Sequence, residues 1–341
     1  MKDLVSVIIL QYNNTILLDR CLKSLAKTRY KNYEIIIVDN KSSDNSVEFI
    51  KKNYPNLNLI ENNQNYGFAK GNNLGVKYAN GEFIVFLNND VEVDPDWLGE
   101  LVKAIRKDKN IVACQPKVLS LRDKHKFEYA GAGGGFIDKY GYPICRGRVY
   151  DNIEEDKGQY NDEIDVFWCC GVCMFIRKNI FNDIGGFDND FFVYGEEIDL
   201  CWRLNLSGYK LKYVPKSVIY HLGRGTAGEK IKTWYWLHRN HAILVLKNYS
   251  FKTLLKILPV KLILDIMAFF SFLIKDYKRS VGIILAWLWI IFHPVNIIKR
   301  HNRIIKIRKV SDKDIIKKML NGSTAINYFI KKKKFFQEFL Y

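Results

Sequence analysis

The chain carries seven cysteines but no pattern that would pair them. Cys169-Cys170-x-x-Cys173 is the one cluster among Cys21, Cys114, Cys145, Cys169, Cys170, Cys173 and Cys201, and no second Cys-x-x-Cys or Cys-x-x-His answers it. A structural zinc site would lack half its ligands, so buried free thiols are the better reading. An odd count without disulfide-like spacing points to a reducing compartment. No signal peptide is read at the N-terminus. The apolar run at 4–10 is short and leads straight into Gln11-Tyr12-Asn13-Asn14, with no small-residue cleavage site, so it reads as a first strand. Internal repeats, low-complexity linkers and a disorder-like composition are also lacking.

What is present is a chain of 341 residues with 48% hydrophobic content, enough for a large core and one catalytic domain with an appendage. The net charge of +17 is uneven: from residue 250 onward there are 19 Lys/Arg against 5 Asp/Glu, so the body is nearly balanced and the tail is basic.

Residues 4–10, 34–38 and 83–87 are short, β-branched-rich apolar runs, the pattern of parallel strands covered on both faces. Helical periodicity falls at 15–27, with Leu17, Leu18, Cys21, Leu22 and Leu25 on one face, then at 46–52 and 70–79. This alternation predicts a doubly wound, mainly parallel α/β sheet of Rossmann-like type. A helix at 98–107 and a strand at 111–118 follow. Residues 121–163 hold Gly131, Gly133, Gly134, Gly135, Gly141 and Gly147 among tyrosines with no period, and read as a loop-and-hairpin excursion over the site. Strand character returns at 167–177, a helix is expected at 197–207, and a strand at 210–220 leads into His221.

Two acidic features carry the chemistry. Asn88-Asn89-Asp90 follows directly on Phe83-Ile84-Val85-Phe86-Leu87, placing an acid at the C-terminal end of a buried strand, where open α/β sheets present groups to ligands. Asp39 ends the run at 34–38 in the same way, and Tyr12 follows the first strand. Downstream, Gly195-Glu196-Glu197-Ile198-Asp199-Leu200 gathers three carboxylates in four residues, which opposes folding unless a cation or a reaction uses them. Together they read as a metal-held phosphate site with a carboxylate base opposite. Plainer readings stand beside this one: Asp39 as a turn residue capping Ser42 or Ser43, Asp90 as a solvated strand end, the Glu196–Asp199 acids as a helix N-terminus, and His221 as a structural hydrogen bonder.

Taken in order and spacing, residues 5–14, Ile35-Ile36-Ile37-Val38-Asp39-Asn40-x-Ser42-x-Asp44, Asn65-Tyr66-Gly67-Phe68-Ala69-Lys70-Gly71-Asn72-Asn73-x-Gly75 and Asn88-Asn89-Asp90 resemble the nucleotide-binding half of the family 2 inverting glycosyltransferases, which have the GT-A fold. Gly171-Val172-Cys173-Met174-Phe175-Ile176-Arg177, Gly185-Gly186-Phe187-Asp188, Gly195-Glu196-Glu197-x-Asp199-Leu200-x-Trp202-Arg203 and His221 resemble the acceptor half, most closely in bacterial rhamnosyltransferase-like members. The resemblance spans roughly residues 4–240. It implies a catalytic domain at 1–248, with a nucleotide-sugar half to about residue 100 and an acceptor half at 101–248, and a separate helical region at 249–341.

The resemblance also implies roles. Gln11, Tyr12, Asn13, Asp39, Asn40, Gly67, Asn73, Asn88 and Asn89 would bind the donor nucleotide. Asp39 would accept the N3–H of a uracil or thymine ring and Tyr12 would stack on that ring. Asp90 and His221 would hold Mg²⁺ or Mn²⁺ against the diphosphate; the family's Asp-x-Asp has Asn88 in its first position here, one charge fewer. Glu197 would be the base, its proton affinity raised by Glu196. Trp168 and Gly171 would wall the donor sugar, with Glu196, Asp199 and Arg224 near the sugars, although Asp199 also stands one helical turn before Arg203, at ion-pair spacing. The Gln-x-x-Arg-Trp signature of processive members is missing, so single-sugar addition is expected. The leading donor is dTDP-rhamnose, with another UDP-sugar as the alternative, and the acceptor a cell-surface glycan or a polyprenyl-linked one. A nucleotide-sugar pyrophosphorylase would want a Gly-rich loop with Lys and Arg after the first strand, which Gln11–Asn14 is not.

In the tail, residues 254–274 and 280–298 are strongly apolar, punctuated by Pro259 and Pro294 and bounded by Lys275, Lys278, Arg279, Lys299 and Arg300. A membrane span needs roughly 20 apolar residues. The second segment barely reaches that. A basic stretch at 303–318 and four lysines at 331–334 beside Phe335 and Phe336 follow. Basic, apolar helices of this kind lie at anionic membrane surfaces, so a peripheral position on the cytoplasmic face of the cell membrane is expected; an inserted hairpin, a soluble helical cap or a dimer interface are the other readings. A nonenzymatic membrane-binding protein would account for the tail but needs neither Glu197 nor Asp90. No nucleic-acid partner is expected, since the charge accompanies apolar helices and not an aromatic-studded sheet. Homo-oligomerisation is left open.

Overall fold

The computed structural model describes residues 2–223 and 230–340. The three apolar runs become β1 (Val5–Gln11), β2 (Tyr33–Asp39) and β4 (Phe83–Asn88), because both of their faces are covered. Helices α1 (Thr15–Leu25), α2 (Ser46–Asn53) and α3 (Gly67–Val76) connect them, with a short β3 (Asn58–Glu61) after α2. The chain continues through β5 (Val91–Val93), α4 (Trp97–Arg106), β6 (Ile111–Ser120), the excursion strands β7 (Gly135–Ile137), β8 (Pro143–Cys145), β9 (Arg148–Val149) and β10 (Asn152–Ile153), then β11 (Ile164–Asp165), β12 (Cys173–Arg177), α5 (Lys178–Asp183), α6 (Glu196–Leu206) and β13 (Lys210–His221).

The central sheet has nine strands in the order β3-β2-β1-β4-β12-β6-β13-β11, with β5 also paired to β13. β3, β2, β1 and β4 are mutually parallel. β12 runs antiparallel between β4 and β6, and β13 is parallel to β6. The sheet is thus mixed but mostly parallel. The doubly wound expectation is met, with β12 as its antiparallel interruption.

Four differences from the sequence reading have physical causes. The run at 167–177 is strand only from Cys173. Ahead of it the amides of Cys169 and Cys170 leave the ladder, donating to Cys201 Sγ at 3.3 Å and Gln115 Oε1 at 3.0 Å. The helix expected at 70–79 begins at Gly67, whose φ of +74° and contact with the Phe192 carbonyl leave no room for a Cβ. The hairpins expected in the excursion are present but joined into one four-stranded antiparallel sheet, β7 to β10, more regular than its lack of period suggests. The apolar segment at 280–298 is broken at His293, where Pro294 takes the first position of a new helix and the two helices bend by 78°.

The C-terminal region comprises α7 (Ile231–Asn248), α8 (Phe251–Lys275), α9 (Tyr277–Phe292), α10 (Pro294–Ile307) and α11 (Asp312–Lys317). α8 runs unbroken through Pro259 and is long and apolar enough to cross a membrane by length and composition. Only Ile257, Lys261, Leu264 and Asp265, one face of it, are buried. α9 lies on α7, with Gly282 against the backbone of Trp234 and Tyr235. The compositional boundary at 248/249 is crossed by tight contacts. Asp188 accepts from Lys247 at 2.7 Å and Arg300 at 2.8 Å, and Ile304, Ile315 and Phe336 belong to the same core as β1 and β4. Asp138, fully buried in the excursion, accepts from the amide of Thr324 at 2.7 Å and its hydroxyl at 3.0 Å.

Candidate active site

β1 and β4 are parallel neighbours with Leu10 opposite Asn88, so their C-terminal ends bring Gln11 and Asn88-Asn89-Asp90 to one edge of the sheet. Gln11 is buried. Its Nε2 donates to the Asn13 carbonyl at 2.7 Å and Ser46 Oγ at 2.9 Å, and its Oε1 accepts from Asn89 Nδ2 at 2.7 Å. Asn13 holds a left-handed φ of +59°, and its side chain accepts the Ser43 amide. Asp39 accepts both the amide and the hydroxyl of Ser42, so the turn-capping reading is realised. Tyr12, 47% exposed, stands at the open side. Asn40 ties this edge to α3 by donating to the Gly67 carbonyl at 3.0 Å. Gln11, Tyr12, Asn13, Asp39, Asn40, Asn88 and Asn89 therefore share the carboxyl ends of three parallel strands, where such sheets bind ligands.

Gly67 and Asn73 serve another purpose. Gly67 lets the α3 N-terminus meet the Phe192 backbone, and Asn73 accepts the Phe187 amide at 3.0 Å while donating to the Phe187 carbonyl and Asn189 Oδ1, each at 2.8 Å. Both stitch the donor half to the 186–192 loop.

Asp90 sits at the turn between β4 and β5, and His221 ends β13, which pairs with β5. Asp90 Oδ1 and His221 Nε2 lie 3.1 Å apart, buried, and neither makes an aligned hydrogen bond. That separation is about the edge of an octahedron of oxygen or nitrogen ligands around Mg²⁺ or Mn²⁺, given bonds of about 2.1 Å. The other ring nitrogen, Nδ1, is 3.0 Å from Glu128 Oε2, which orients the imidazole with Nε2 toward Asp90. Burial pulls the His221 pKa down, but the carboxylates of Asp90 and Glu128 outweigh it and lift it to about 9. Once a divalent cation displaces the proton that this shift favours on Nε2, the two residues fit it as ligands. Among the described residues no three protein donors converge on one point, so diphosphate oxygens would complete the shell. Beside the pair lies a cavity of about 410 Å³ whose walls include Arg122, Glu128, Tyr129, Asp151 and Gly223. Glu128 escaped the sequence reading. It lies in the aperiodic excursion, and its partner is 93 residues away.

Glu196 and Glu197 open α6 after Gly195, which has a left-handed φ of +85°. Each leaves one buried carboxylate oxygen without a partner. Burial lifts the Glu197 pKa to about 7, against backbone amides at the helix start. The expected cause, repulsion from Glu196, is not the main one. Glu196 is instead driven well above the usual range by its own burial and by the Glu197 charge. Gly171 is beside Glu197: a Cβ there would stand 3.2 Å from the Phe68 ring and 3.8 Å from Glu197 Cβ.

Two sugar-site assignments are corrected. Asp199 is fully buried between Arg203 at 2.9 Å and Lys247 at 2.8 Å, because a carboxylate four residues before an arginine on one helix face pairs with it. Trp168 is a core side chain: its indole donates to the Phe136 carbonyl at 2.9 Å and its ring covers Gly135, so it offers no open platform. Arg224 lies outside the described residues. All seven cysteines are buried and free.

A model for glycosyl transferase family 2 matches residues 6–185, and one for the N-terminal domain of galactosyltransferase matches 152–224. Rhamnosyltransferase WbbL of Escherichia coli K12 is 29% identical over 223 residues, covering 62% of this chain and 81% of WbbL. The N-acetylglucosaminyl-diphospho-decaprenol L-rhamnosyltransferase of Mycobacterium tuberculosis H37Rv is 24% identical over 269 residues, 73% of this chain and 86% of that protein. The O-antigen biosynthesis protein RfbC of Myxococcus xanthus is 30% identical over 62% of this chain, which spans 17% of its length. Among solved structures, GalNAc-T7 with UDP, GalNAc and Mn²⁺ has a TM-score of 0.55 at 19% identity over 72% of this chain and 48% of that one. The mannosyltransferase PcManGT of Pyrobaculum calidifontis, with GDP-Man and Mn²⁺, has 0.50 at 16% over 96% and 88%. These two show the fold. The chain belongs to glycosyl transferase family 2 and is a glycosyltransferase of the GT-A fold.

Proposed function

We propose that this glycosyltransferase works with inversion and a divalent cation. It moves a single sugar from a dTDP- or UDP-activated donor to a cell-surface glycan or polyprenyl-linked acceptor, with dTDP-rhamnose as the leading donor. The observation that carries this reading is a buried carboxylate–imidazole pair, Asp90 Oδ1 and His221 Nε2, that makes no aligned hydrogen bond, together with the unpartnered Glu197 Oε2. Groups of this kind oppose folding unless a ligand satisfies them. Glu197, with a pKa of about 7, takes the acceptor hydroxyl's proton as the hydroxyl oxygen bonds to the anomeric carbon. The bond from that carbon to the phosphate oxygen breaks on the opposite face, and the nucleoside diphosphate leaves. A divalent cation held by Asp90 and His221 would offset the charge on the leaving diphosphate. Glu128 keeps the His221 ring in register.

The two rhamnosyltransferases among the relatives favour rhamnose, and the mycobacterial enzyme's name specifies a sugar on a decaprenyl diphosphate. A different UDP-sugar is the second reading, supported by the poly-β-1,6-N-acetyl-D-glucosamine synthase of Staphylococcus epidermidis at 26% identity over 250 residues. A peripheral position at the cytoplasmic membrane face agrees with α8, whose Lys261–Asp265 face is held by the body while Ile263, Ile266 and Phe270 on its other faces are exposed.

The test is metal-dependent turnover of a panel of UDP-, dTDP- and GDP-sugars by the wild type, Glu197→Gln and Asp90→Asn. Turnover of one donor, abolished in both variants, is expected. Failure to bind any sugar nucleotide would sink the reading.

A further inference from the structure

Arg279, in the first turn of α9, is held by aromatic faces and not by a carboxylate in direct contact. Its guanidinium lies 4.6 Å from the centroid of Trp234 and 3.8 Å from that of Phe272. Its Nε is buried with no hydrogen-bond partner, and it forms no ion pair among the described residues. Two neighbours on α7 are unsatisfied as well. Trp234 Nε1 and, one turn further, His238 Nε2 are both buried without partners. His238 is close enough to Arg279 that, after burial, the guanidinium is the strongest influence holding it uncharged.

The place of this cluster is informative. The titratable groups that act most strongly on Arg279 are Tyr129 and Asp151, and both line the cavity next to Glu128 and His221. Arg279 packs on α7 through Trp234, and two turns along that helix the His241 ring would stand 3.6 Å from a Cβ on Gly195, the residue just before Glu196 and Glu197. On the other side, one turn on from Arg279, Ile283 begins a groove between α8 and α9 of about 350 Å³, lined by Ile266, Phe270, Ile284 and Leu288 and almost wholly apolar. Lys275 and Lys278 flank Arg279 at the tip of this hairpin, and Ile274 there is 95% exposed. A guanidinium with nearby lysines and an indole N–H suits phosphate oxygens, while the adjoining groove suits a hydrocarbon chain. Asp151 and Asp276 act on the guanidinium only from a distance, and a desolvated cation of this kind gains further from an anion in direct contact.

We propose that Arg279 is the acceptor clasp: it receives the phosphate of a lipid-linked diphosphate acceptor whose chain lies in the α8–α9 groove, presenting the acceptor sugar toward Glu197. This rests on the lipid-linked acceptor of the preceding section. Arg279 is a positioning residue, not a participant in the chemistry.

The probe is farnesyl diphosphate, titrated in detergent against the full chain and followed by tryptophan emission, with farnesol, inorganic pyrophosphate and phosphatidylglycerol vesicles as comparisons. Farnesyl diphosphate is expected to bind at least tenfold more tightly than farnesol or pyrophosphate. Arg279→Gln should lose at least tenfold for farnesyl diphosphate and nothing for farnesol, Arg279→Lys should recover part of the loss, and all variants should bind the nucleotide and melt as the wild type does. Unchanged farnesyl diphosphate affinity in Arg279→Gln would overturn the clasp. So would full displacement of the probe by phosphatidylglycerol at equal phosphate, which would make this an anionic-headgroup site. Because binding is the readout, the clasp is judged even if no donor sugar is turned over, and donor turnover with Arg279-independent lipid binding rejects the clasp alone.

Discussion

Glu196 and Glu197 are chemically identical neighbours that burial makes unequal. Burial and the Glu197 charge raise Glu196 well above the usual carboxylate range, whereas Glu197 reaches about 7 and can exchange a proton near neutrality. As a base, Glu197 works only when ionised, so the transfer rate should rise with pH through about 7 and level off above it; initial rates across pH 5.5–9 would show this. Glu197→Gln should lower turnover by about 10²–10⁴-fold with nucleotide affinity retained. At the cation pair, Glu128→Gln should weaken apparent Mn²⁺ affinity about 10–100-fold, a loss that excess metal restores. Titrating activity with Mn²⁺ checks it, and an unchanged midpoint would remove Glu128 from the site. Asp90, His221 and Glu197 stood out as candidates because each lies at a strand end, just past one or at a helix start, with charge that local packing does not need. Glu128 did not, since one glutamate in an aperiodic glycine-rich stretch carries no local signal. For Asp199 the ion pair expected with Arg203 is realised, but its place near the sugars is not, because Lys247, 48 positions later, takes its other oxygen.

Among the elements, β1, β2 and β4 could be read directly because strands buried on both faces must be continuously apolar. β3, β5 and the strands of the excursion are only two to four residues each, too short for any period to show. The run at 167–177 illustrates the opposite error: it is apolar throughout, yet Cys169 and Cys170 are buried by side-chain hydrogen bonds from elsewhere and not by a ladder. The link between α7, α10 and the Gly185-Gly186-Phe187-Asp188 turn was equally hidden. Asp188 is held well below the usual carboxylate range: burial alone would raise it, but Lys247 and Arg300 prevail. Asp188→Asn removes one of two carboxylates from each of Lys247 and Arg300, which keep Asp199 and Asp190, and should destabilise the fold by about 2 kcal/mol. Thermal or urea unfolding would measure this, and a change below 1 kcal/mol would mean that the cluster relaxes at little penalty.

For the whole molecule, composition divides the chain at 248/249 while contacts run across that line. Deleting residues 250–341 removes Ile304, Ile315 and Phe336 from the common core and takes Arg300 from Asp188. The expected outcome is loss of nucleotide binding as well as loss of binding to anionic liposomes. A truncated protein that still binds nucleotide and melts cooperatively would show that the tail is an independent unit. The basic, apolar character of the tail was plain in the sequence; its docking on the body was not, because the packing of α9 and α10 on α7 leaves no local signal in the chain.

Asp138 and Thr324 meet across 186 positions of chain. At synthesis rates of about 5–20 residues per second, that separation corresponds to roughly 10–40 s on the ribosome. For that interval the excursion has no lid over its buried carboxyl, and the apolar helices α8 and α9 emerge before the segment that closes it. A nascent chain in this state exposes surface suited to chaperones or to a bilayer.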